Sequence, residues 1–306
     1  MKTLLLFMCA AVSLQAADYY VTVAGLGGDP DYEARFVKWA QDLERELKTD
    51  PDAHVITLSG LGATRQQVEQ AIAKVSSEAT ETDTFALFLI GHGTFDGTDY
   101  KINLPGPDMT GAQLAAALNR IPARRQLVVN MTSCSGASLA SLTRKGRIVI
   151  SATKSGNEKN APVFARYWVD ALHDPSADTD KNGSVSALEA FRYADRKTAA
   201  YFESEKLLAT EHALITDTAN PTGVRDPKPE NGQGLLAASF VLIRQRTESG
   251  KALSPEKQRL VSKKEDLEAK IDRLKYEKAA MDETDYKRQL TALLLELART
   301  QAEIDR

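Results

Sequence analysis

The stretch "LFLIGHGT", residues 87–94, consists of an apolar run followed by Gly-His-Gly-Thr. A continuous apolar run of this kind is typical of a strand that is buried on both faces of a parallel sheet. The run ends at His92, where the chain turns polar at once. A second apolar run, "LVVNMTS" at 127–133, ends in the same way at Cys134. The sequence therefore places a histidine and a cysteine just past the ends of two buried strands.

Segments with strand and helix patterns alternate along residues 18–172. Such alternation predicts an α/β protein in which helices cover both faces of a mostly parallel sheet. The segments 211–216 and 235–243 have the composition of further strands. The strands are predicted at 18–26, 54–60, 84–91, 125–133 and 147–153, and the helices at 30–48, 64–75, 110–121 and 162–172.

The charge balance gives no support to a nucleic-acid partner. The chain has 306 residues and a formal net charge of -3, so there is no excess of Lys and Arg to neutralise phosphates. Its hydrophobic content of 42% and charged content of 26% are ordinary for a globular protein.

The first residues have the pattern of a secretory signal. Lys2 precedes a short apolar core, and small residues follow it, so we expect residues 1–17 to be removed in a secreted or periplasmic protein. No other stretch has the length and hydrophobicity to cross a membrane, so no membrane span is expected after cleavage. Cleavage would also remove Cys9 and leave Cys134 without a disulfide partner. A lone thiol in an exported protein indicates an intermolecular bridge, a reactive cysteine or a small buried residue.

Ligands of open parallel sheets bind outside the carboxyl ends of the strands. If the two strands are neighbours, His92 and Cys134 lie on that same rim. A histidine beside a thiol can take its proton and later protonate a leaving amine. The backbone N–H groups of Gly93 and Cys134 are then the candidates for holding an oxyanion. For either residue alone a structural role is favoured; together they favour catalysis.

The ordered set "LFLIGHGT", "LVVNMTSCSGAS" and "IVISATKSGNEKNAPVFARYWVDAL" resembles the legumain-type members of the caspase-like cysteine peptidases. The resemblance implies a caspase-like three-layer α/β sandwich over residues 18–248 and hydrolysis of peptide bonds through a thioester. It implies His92 as the base and Cys134 as the nucleophile. Ser133 departs from the acidic or small residue that precedes the nucleophile in these families. Arg35 lies near the place of a pocket arginine, but its register is off.

The stretch "DTDKNGSVSALE" at 178–189 matches the twelve-residue calcium loop of an EF-hand. Gly183 takes the position of the sharp turn, and Ser186 that of the water-mediated contact. A polar loop with a helix cap is the alternative reading. We expect one structural Ca²⁺ in an EF-hand-like loop, with ligands from Asp178, Asp180, Asn182, the Ser184 carbonyl and Glu189.

Residues 250–306 have a different composition and predict a C-terminal helical hairpin or coiled coil. Leucines recur every seven residues, and "DETD" at 282–285 interrupts the pattern. This segment either forms a homodimer or binds a partner helix through 254–305, packs back on the body, or is solvated. The stripe consists of Leu253, Leu260, Leu267, Leu274 and Met281, followed by Leu290, Leu294, Leu297 and Ile304.

The sequence as a whole predicts an exported cysteine endopeptidase that acts on a peptide or protein substrate. Two alternatives stay open. One is a non-catalytic binding or scaffold module on the same fold, with the C-terminal helices as its interaction surface. The other is a cysteine transpeptidase, which passes the acyl group to an amine rather than to water.

Overall fold

The computed structural model describes residues 16–244 and 255–305. Most of the predicted signal, residues 1–15, and the segment 245–254 therefore lie outside the described residues. The strands are β1 (Asp18–Ala24), β2 (His54–Leu58), β3 (Thr84–Gly91), β4 (Gly93–Phe95), β5 (Tyr100–Ile102), β6 (Met109–Thr110), β7 (Arg125–Thr132), β8 (Arg147–Ser151), β9 (Ser184–Ser186), β10 (Leu214–Thr216) and β11 (Val241–Arg244). The α-helices are α1 (Pro30–Leu47), α2 (Arg65–Glu78), α3 (Gly111–Leu118), α4 (Leu139–Leu142), α5 (Phe164–Ala171), α6 (Ala187–Ser204), α7 (Leu235–Ala238), α8 (Pro255–Glu277) and α9 (Glu283–Ile304).

Six strands form the central sheet in the order β2-β1-β3-β7-β8-β10. The first five run parallel, and β10 joins β8 antiparallel at the edge. The middle strands β3 and β7 are buried along nearly their whole length, which explains their continuous apolar sequences. The predicted fold class, a three-layer α/β sandwich with a mostly parallel sheet, is confirmed.

Helices cover both faces of this sheet. On one face α1, α5 and α6 pack against the strands, with Phe36 and Trp168 among the fully buried side chains. On the other face α2 and α3 supply Val68, Ile72 and Leu114. Alternate residues of each strand serve the two cores, because successive side chains of a strand point to opposite faces.

Local chemistry explains where the helices begin. Asp29 caps α1 by accepting a hydrogen bond from the Asp31 N–H, and Pro30 occupies the first turn, where no N–H is needed. The capping box of α3 uses Thr110 and Gln113, each side chain bonded to the backbone of the other. These caps place the amino ends of both helices where the sequence predicts them.

The structure differs from the prediction near the end of the sheet domain. Residues 235–243 are not one strand: α7 occupies the first half, and only β11 is extended. The Asp217 carboxylate accepts hydrogen bonds from the N–H groups of Gly234, Leu236 and Ala237, which turns this apolar segment into a helix. The small sheet β4-β5-β6, which follows His92, was not predicted from the sequence.

The two C-terminal helices pack on each other and on the body. Leu267, Ile271 and Leu274 of α8 are buried. The Tyr276 hydroxyl donates to the Gln233 carbonyl at 2.6 Å, and the Lys264 ammonium donates to the Asn182 carbonyl at 2.9 Å. In the described residues the hairpin thus packs back on the sheet domain.

Across the described ranges, none of the helices combines the length and hydrophobicity that a bilayer crossing requires.

Candidate active site and acidic loop

The carboxyl ends of β3 and β7 bring His92 and Cys134 to one rim. These strands are parallel neighbours in a register that pairs Gly91 with Thr132. His92 follows the first residue of that pair directly, and Cys134 follows the second by two positions. The predicted neighbourhood of the two strands is therefore present.

Cys134 lies in a turn with an unusual backbone. Its φ of 57° falls in the left-handed region, which a residue with a Cβ adopts at a cost of roughly 1 kcal/mol or more. A 3-10 turn, 135–138, follows at once. The residue is only 2% exposed, and it belongs to the core on the α2 and α3 side of the sheet. Strained conformations of this kind are concentrated at active sites, ligand clamps and switch regions.

His92 is held by an acceptor and by two aromatic rings. Its Nε2 lies 3.1 Å from the Gly27 carbonyl oxygen, which can only accept, so Nε2 carries the proton. The rings of Tyr32 and Phe36 pack edge-on against the imidazole, with centroids 4.9 and 5.2 Å away. In the neutral ring this arrangement leaves Nδ1 unprotonated, which is the state that a general base needs.

The two side chains do not contact each other in a productive way. Within the described part of the chain, no hydrogen bond joins the His92 ring to the Cys134 thiol. His92 packs against α1, whereas Cys134 belongs to the core on the opposite side of the sheet. Catalytic hydrogen bonds often form only when substrate binds, so the predicted dyad stays a prediction.

The loop that follows β8, residues 152–163, lies over Cys134; we call it the covering loop. Its Glu158 carbonyl accepts the Cys134 N–H at 2.8 Å. Its Gly156 packs so closely that an added Cβ would lie 2.2 Å from the Phe95 ring. A Cβ at Gly136 would meet the covering-loop backbone at 2.3 Å. The Cys134 N–H, predicted to hold an oxyanion, is therefore occupied in this conformation.

The Glu158 side chain fastens the covering loop to the segment before β10. Its carboxylate lies 2.5 Å from His212 Nδ1 and also accepts the His212 N–H at 3.2 Å. It accepts the Lys154 N–H at 2.8 Å as well. Glu158 is thus the structural partner of His212. The main-chain carbonyl of Glu158 also occupies the Cys134 N–H.

Loosening this attachment should expose the thiol. In Glu158→Ala the bonds to His212 and Lys154 are lost, so we expect Cys134 to react with iodoacetamide roughly ten- to hundredfold faster, which corresponds to the loss of one hydrogen bond to a charged group. Asn160→Ala, in an exposed position of the same loop, is the matched control. Equal rates in Glu158→Ala and the unchanged protein would contradict the role given to this contact.

Burial shifts both candidate catalytic groups toward their neutral forms. Desolvation raises the pKa of Cys134, although Lys159 and the Phe95 N–H act in the opposite direction. Desolvation also lowers the pKa of His92, the Gly27 hydrogen bond opposes the shift, and Arg35 adds to it. The closed site therefore holds a thiol and a neutral imidazole, not a preformed ion pair.

This neutral pair predicts a particular pH dependence. Because the thiol pKa is raised, the thiolate fraction of Cys134 at pH 7.5 is small, and alkylation should be slower than that of a free cysteine. The rate should keep rising with pH above about 8.5, where an unperturbed thiol reaches its midpoint. Rapid alkylation of Cys134 at acidic pH, measured by mass spectrometry, would instead indicate a preformed thiolate–imidazolium pair.

A buried polar network supports the turn from below. The Tyr100 hydroxyl bonds to Thr132 at 2.6 Å and to Asn130 at 3.2 Å. The Asn130 amide in turn donates to Ser138, whose hydroxyl donates to the Ser135 carbonyl. These residues were not predicted from the sequence, although the polar residues Asn130 and Thr132 inside a buried strand were an available signal.

Arg35 is a surface residue of α1. Its guanidinium lies 4.3 Å from the centre of the Tyr32 ring and donates to the Asp31 carbonyl. Its positive charge adds to the lowering of the His92 pKa.

The acidic loop at 178–189 has hydrogen bonds that shape it around a centre. Asp178 accepts from the N–H groups of Asn182 and Gly183, and Gly183 has a φ of 88°. Ser186 caps α6, and Glu189 completes the capping box. β9, which carries the Ser184 carbonyl, pairs antiparallel with β11.

Three carboxylates of this loop lie close enough to hold a metal ion. Oxygen atoms of Asp178, Asp180 and Glu189 all lie within 4.8 Å of one another. Asp178 and Glu189 are buried, and Asp180 is the exposed member. Although Asp180 reaches the surface, its carboxyl faces the loop interior, and partial desolvation there, followed by the Glu189 charge, raises the pKa of Asp180 to about 6. Such crowding of carboxylates is relieved by a cation, and the all-oxygen donor set fits a hard one.

Comparison with known proteins gives structural similarity without sequence similarity. No family model matches the chain, and no curated protein matches it. The Drosophila initiator caspase Dronc is 10% identical with a TM-score of 0.44, over 68% of this chain and 82% of the caspase. A structural-genomics protein from Geobacter sulfurreducens is 15% identical with a TM-score of 0.44, over 72% and 97% of the two chains. At these values neither neighbour assigns an activity or a residue role to this chain.

Proposed function

We propose that this protein is a cysteine endopeptidase of the caspase-like type, related to the legumain group, with Cys134 as nucleophile and His92 as base. The observation that carries the proposal is the register of β3 and β7, which brings these two residues to one rim of the sheet. The left-handed turn at Cys134 and the contact of His92 Nε2 with the Gly27 carbonyl support it.

The proposed reaction begins when the covering loop moves away from Cys134. His92 Nδ1 takes the thiol proton, and the sulfur attacks the peptide carbonyl carbon. The N–H groups of Gly93 and Cys134, the latter released from Glu158, hold the oxyanion. The amine leaves with the proton from His92 and a thioester remains. Water, deprotonated by His92, then attacks the thioester, which releases the acid and restores the thiol.

Turnover of a mixed peptide library by the full mature chain tests this proposal. We expect cleavage, and a peptidyl acyloxymethyl ketone should label Cys134, as mapped by mass spectrometry. Adding an amine nucleophile separates hydrolysis from transpeptidation, because only a transpeptidase forms the new amide as its main product. Neither cleavage nor labelling, in the unchanged protein or in the loosened Glu158→Ala variant, would overturn the peptidase proposal.

A non-catalytic binding module is the second candidate. The observation that favours it is the closed site: Cys134 is 2% exposed and its N–H is already bonded. On this reading the left-handed turn only anchors the covering loop. The absence of any reaction in the library experiment would favour this candidate.

We also propose that the loop 178–189 holds a structural Ca²⁺. Its carboxylates and the Asn182 and Ser184 oxygens are the donors that this ion prefers, and the turn at Gly183 fits the loop's sixth position. A bound cation would neutralise the cluster and brace the start of α6.

The proposal also includes export and a peptide or protein substrate. It further includes a homodimer or a partner helix that binds through 254–305. Export rests on the sequence of residues 1–17 alone. The helix partner rests on the leucines that α9 leaves exposed, Leu294 and Leu295.

A further inference from the structure

The segment between β1 and α1, residues 25–29, holds the carbonyl that orients His92. It contains Gly25, Gly27 and Gly28, and Gly28 has a φ of 71°. Glycine gives a loop more conformational freedom than any other residue, so a carbonyl in this segment keeps its direction only if other contacts hold it.

Three successive N–H groups fix the segment. The Gly25 N–H donates to the Ile90 carbonyl at 2.8 Å, and the Leu26 N–H donates to the Asn103 carbonyl at 3.0 Å. The Gly27 N–H donates to the Glu33 carboxylate at 2.8 Å. The first two acceptors are main-chain atoms, which any sequence would supply. Of these three acceptors, only the one at Gly27 depends on a side chain.

The contact between Gly27 and Glu33 is close as well as polar. A Cβ added at Gly27 would lie 2.4 Å from the Glu33 nitrogen and 2.9 Å from its carboxylate. Glu33 sits in the first turns of α1, between Tyr32 and Phe36, whose rings pack on His92. Helix α1 therefore contacts both the His92 imidazole, through Tyr32 and Phe36, and the Gly27 backbone, through Glu33.

We propose that Glu33 is a positioning residue for His92, acting through the backbone of Gly27. The Glu33 carboxylate accepts a hydrogen bond from the Gly27 N–H, and the Gly27 carbonyl accepts one from His92 Nε2–H, so Nδ1 stays free to accept a proton. The contribution to catalysis rests on the proposed peptidase function. The proposed effect of Glu33 on the His92 tautomer does not depend on that function.

The test compares Glu33→Ala with Glu33→Gln, which keeps a side-chain oxygen as acceptor. If the reaction is as proposed, kcat should fall about ten- to hundredfold in Glu33→Ala with KM within about twofold, and Glu33→Gln should recover most of it. Asp31→Ala is the matched control, because it removes an exposed acid from the same helix turn without touching Gly27. Thermal melting of each variant checks that the fold is intact.

An NMR measurement tests the tautomer without any turnover. In protein labelled with ¹⁵N-histidine, the His92 signals, assigned with His92→Gln, should show a single Nε2–H tautomer in the unchanged protein and in Glu33→Gln. They should show an average of two tautomers in Glu33→Ala. An unchanged single tautomer in Glu33→Ala overturns the inference, whatever happens to activity. A changed tautomer in a protein that cleaves nothing supports the inference and counts against the peptidase. If Glu33→Ala does not fold, Glu33→Asp, whose carboxylate is too short to keep this contact, takes its place.

Discussion

The Cys134→Ala variant is expected to lose at least about a thousandfold in kcat/KM on any peptide that the unchanged protein cleaves, because it removes the atom that forms the thioester. Cys134→Ser should be nearly as inactive, since a hydroxyl at this place has the same geometry but a much higher pKa. The fold should survive both changes. The residue is small, and alanine and serine tolerate the left-handed backbone about as well as cysteine does.

Ser133→Ala provides the matched control for this loss. Ser133 precedes Cys134, is 1% exposed, and its hydroxyl is buried without a hydrogen-bond partner in the described structure. Removing an unsatisfied buried hydroxyl is neutral or slightly stabilising, so Ser133→Ala should keep its activity. Cleavage by Cys134→Ala at more than a few per cent of the original rate would show that another group performs the chemistry.

The Glu189→Ala variant is expected to lose roughly 3 kcal/mol of unfolding free energy in the presence of a chelator. The Glu189 side chain is 6% exposed and accepts from the backbone or hydroxyls of Thr179, Asp180 and Ser186. Truncation leaves these donors without their acceptor at the point where the loop closes on α6. Urea unfolding followed by circular dichroism measures the difference.

Calcium then separates the structural role of Glu189 from its proposed role as a ligand. Adding about 1 mM Ca²⁺ should raise the melting temperature of the unchanged protein but not that of Glu189→Ala. Glu203→Ala, an exposed position of the same helix, should behave like the unchanged protein in both conditions. Equal stabilisation of all three proteins by calcium would place the ion elsewhere.

The periodicity of the sequence predicted most of the sheet because burial on two faces leaves a clear pattern. The strand 84–91 agrees with β3 at both ends, and 125–133 extends β7 by one residue. The apolar segment 235–243 was assigned wrongly because the cap that makes its first half helical comes from Asp217, far away in the chain. The short strands of the sheet β4-β5-β6 are too brief for any alternation to appear.

Only the parts of the site that depend on side-chain chemistry could be predicted from the sequence. His92 and Cys134 stand at strand ends, where a parallel sheet collects its ligands. The atoms that hold them in this conformation are main-chain carbonyls of Gly27 and Glu158. Every residue type has a main-chain carbonyl, so these two contacts cannot be predicted from the residue types in the sequence. The closed state of Cys134 follows from packing between distant segments and appears only in three dimensions.

The pairing of β9 with β11 also sets how a cation would be taken up. The short strand β9 of the acidic loop pairs with β11, and in the described residues no second loop of this kind lies against it. Occupancy would therefore follow a simple hyperbola with a Hill coefficient of about one, rising from a tenth to nine tenths over a roughly eightyfold range of concentration. Such a gradual response is typical of a structural cation site and not of a cation-dependent switch.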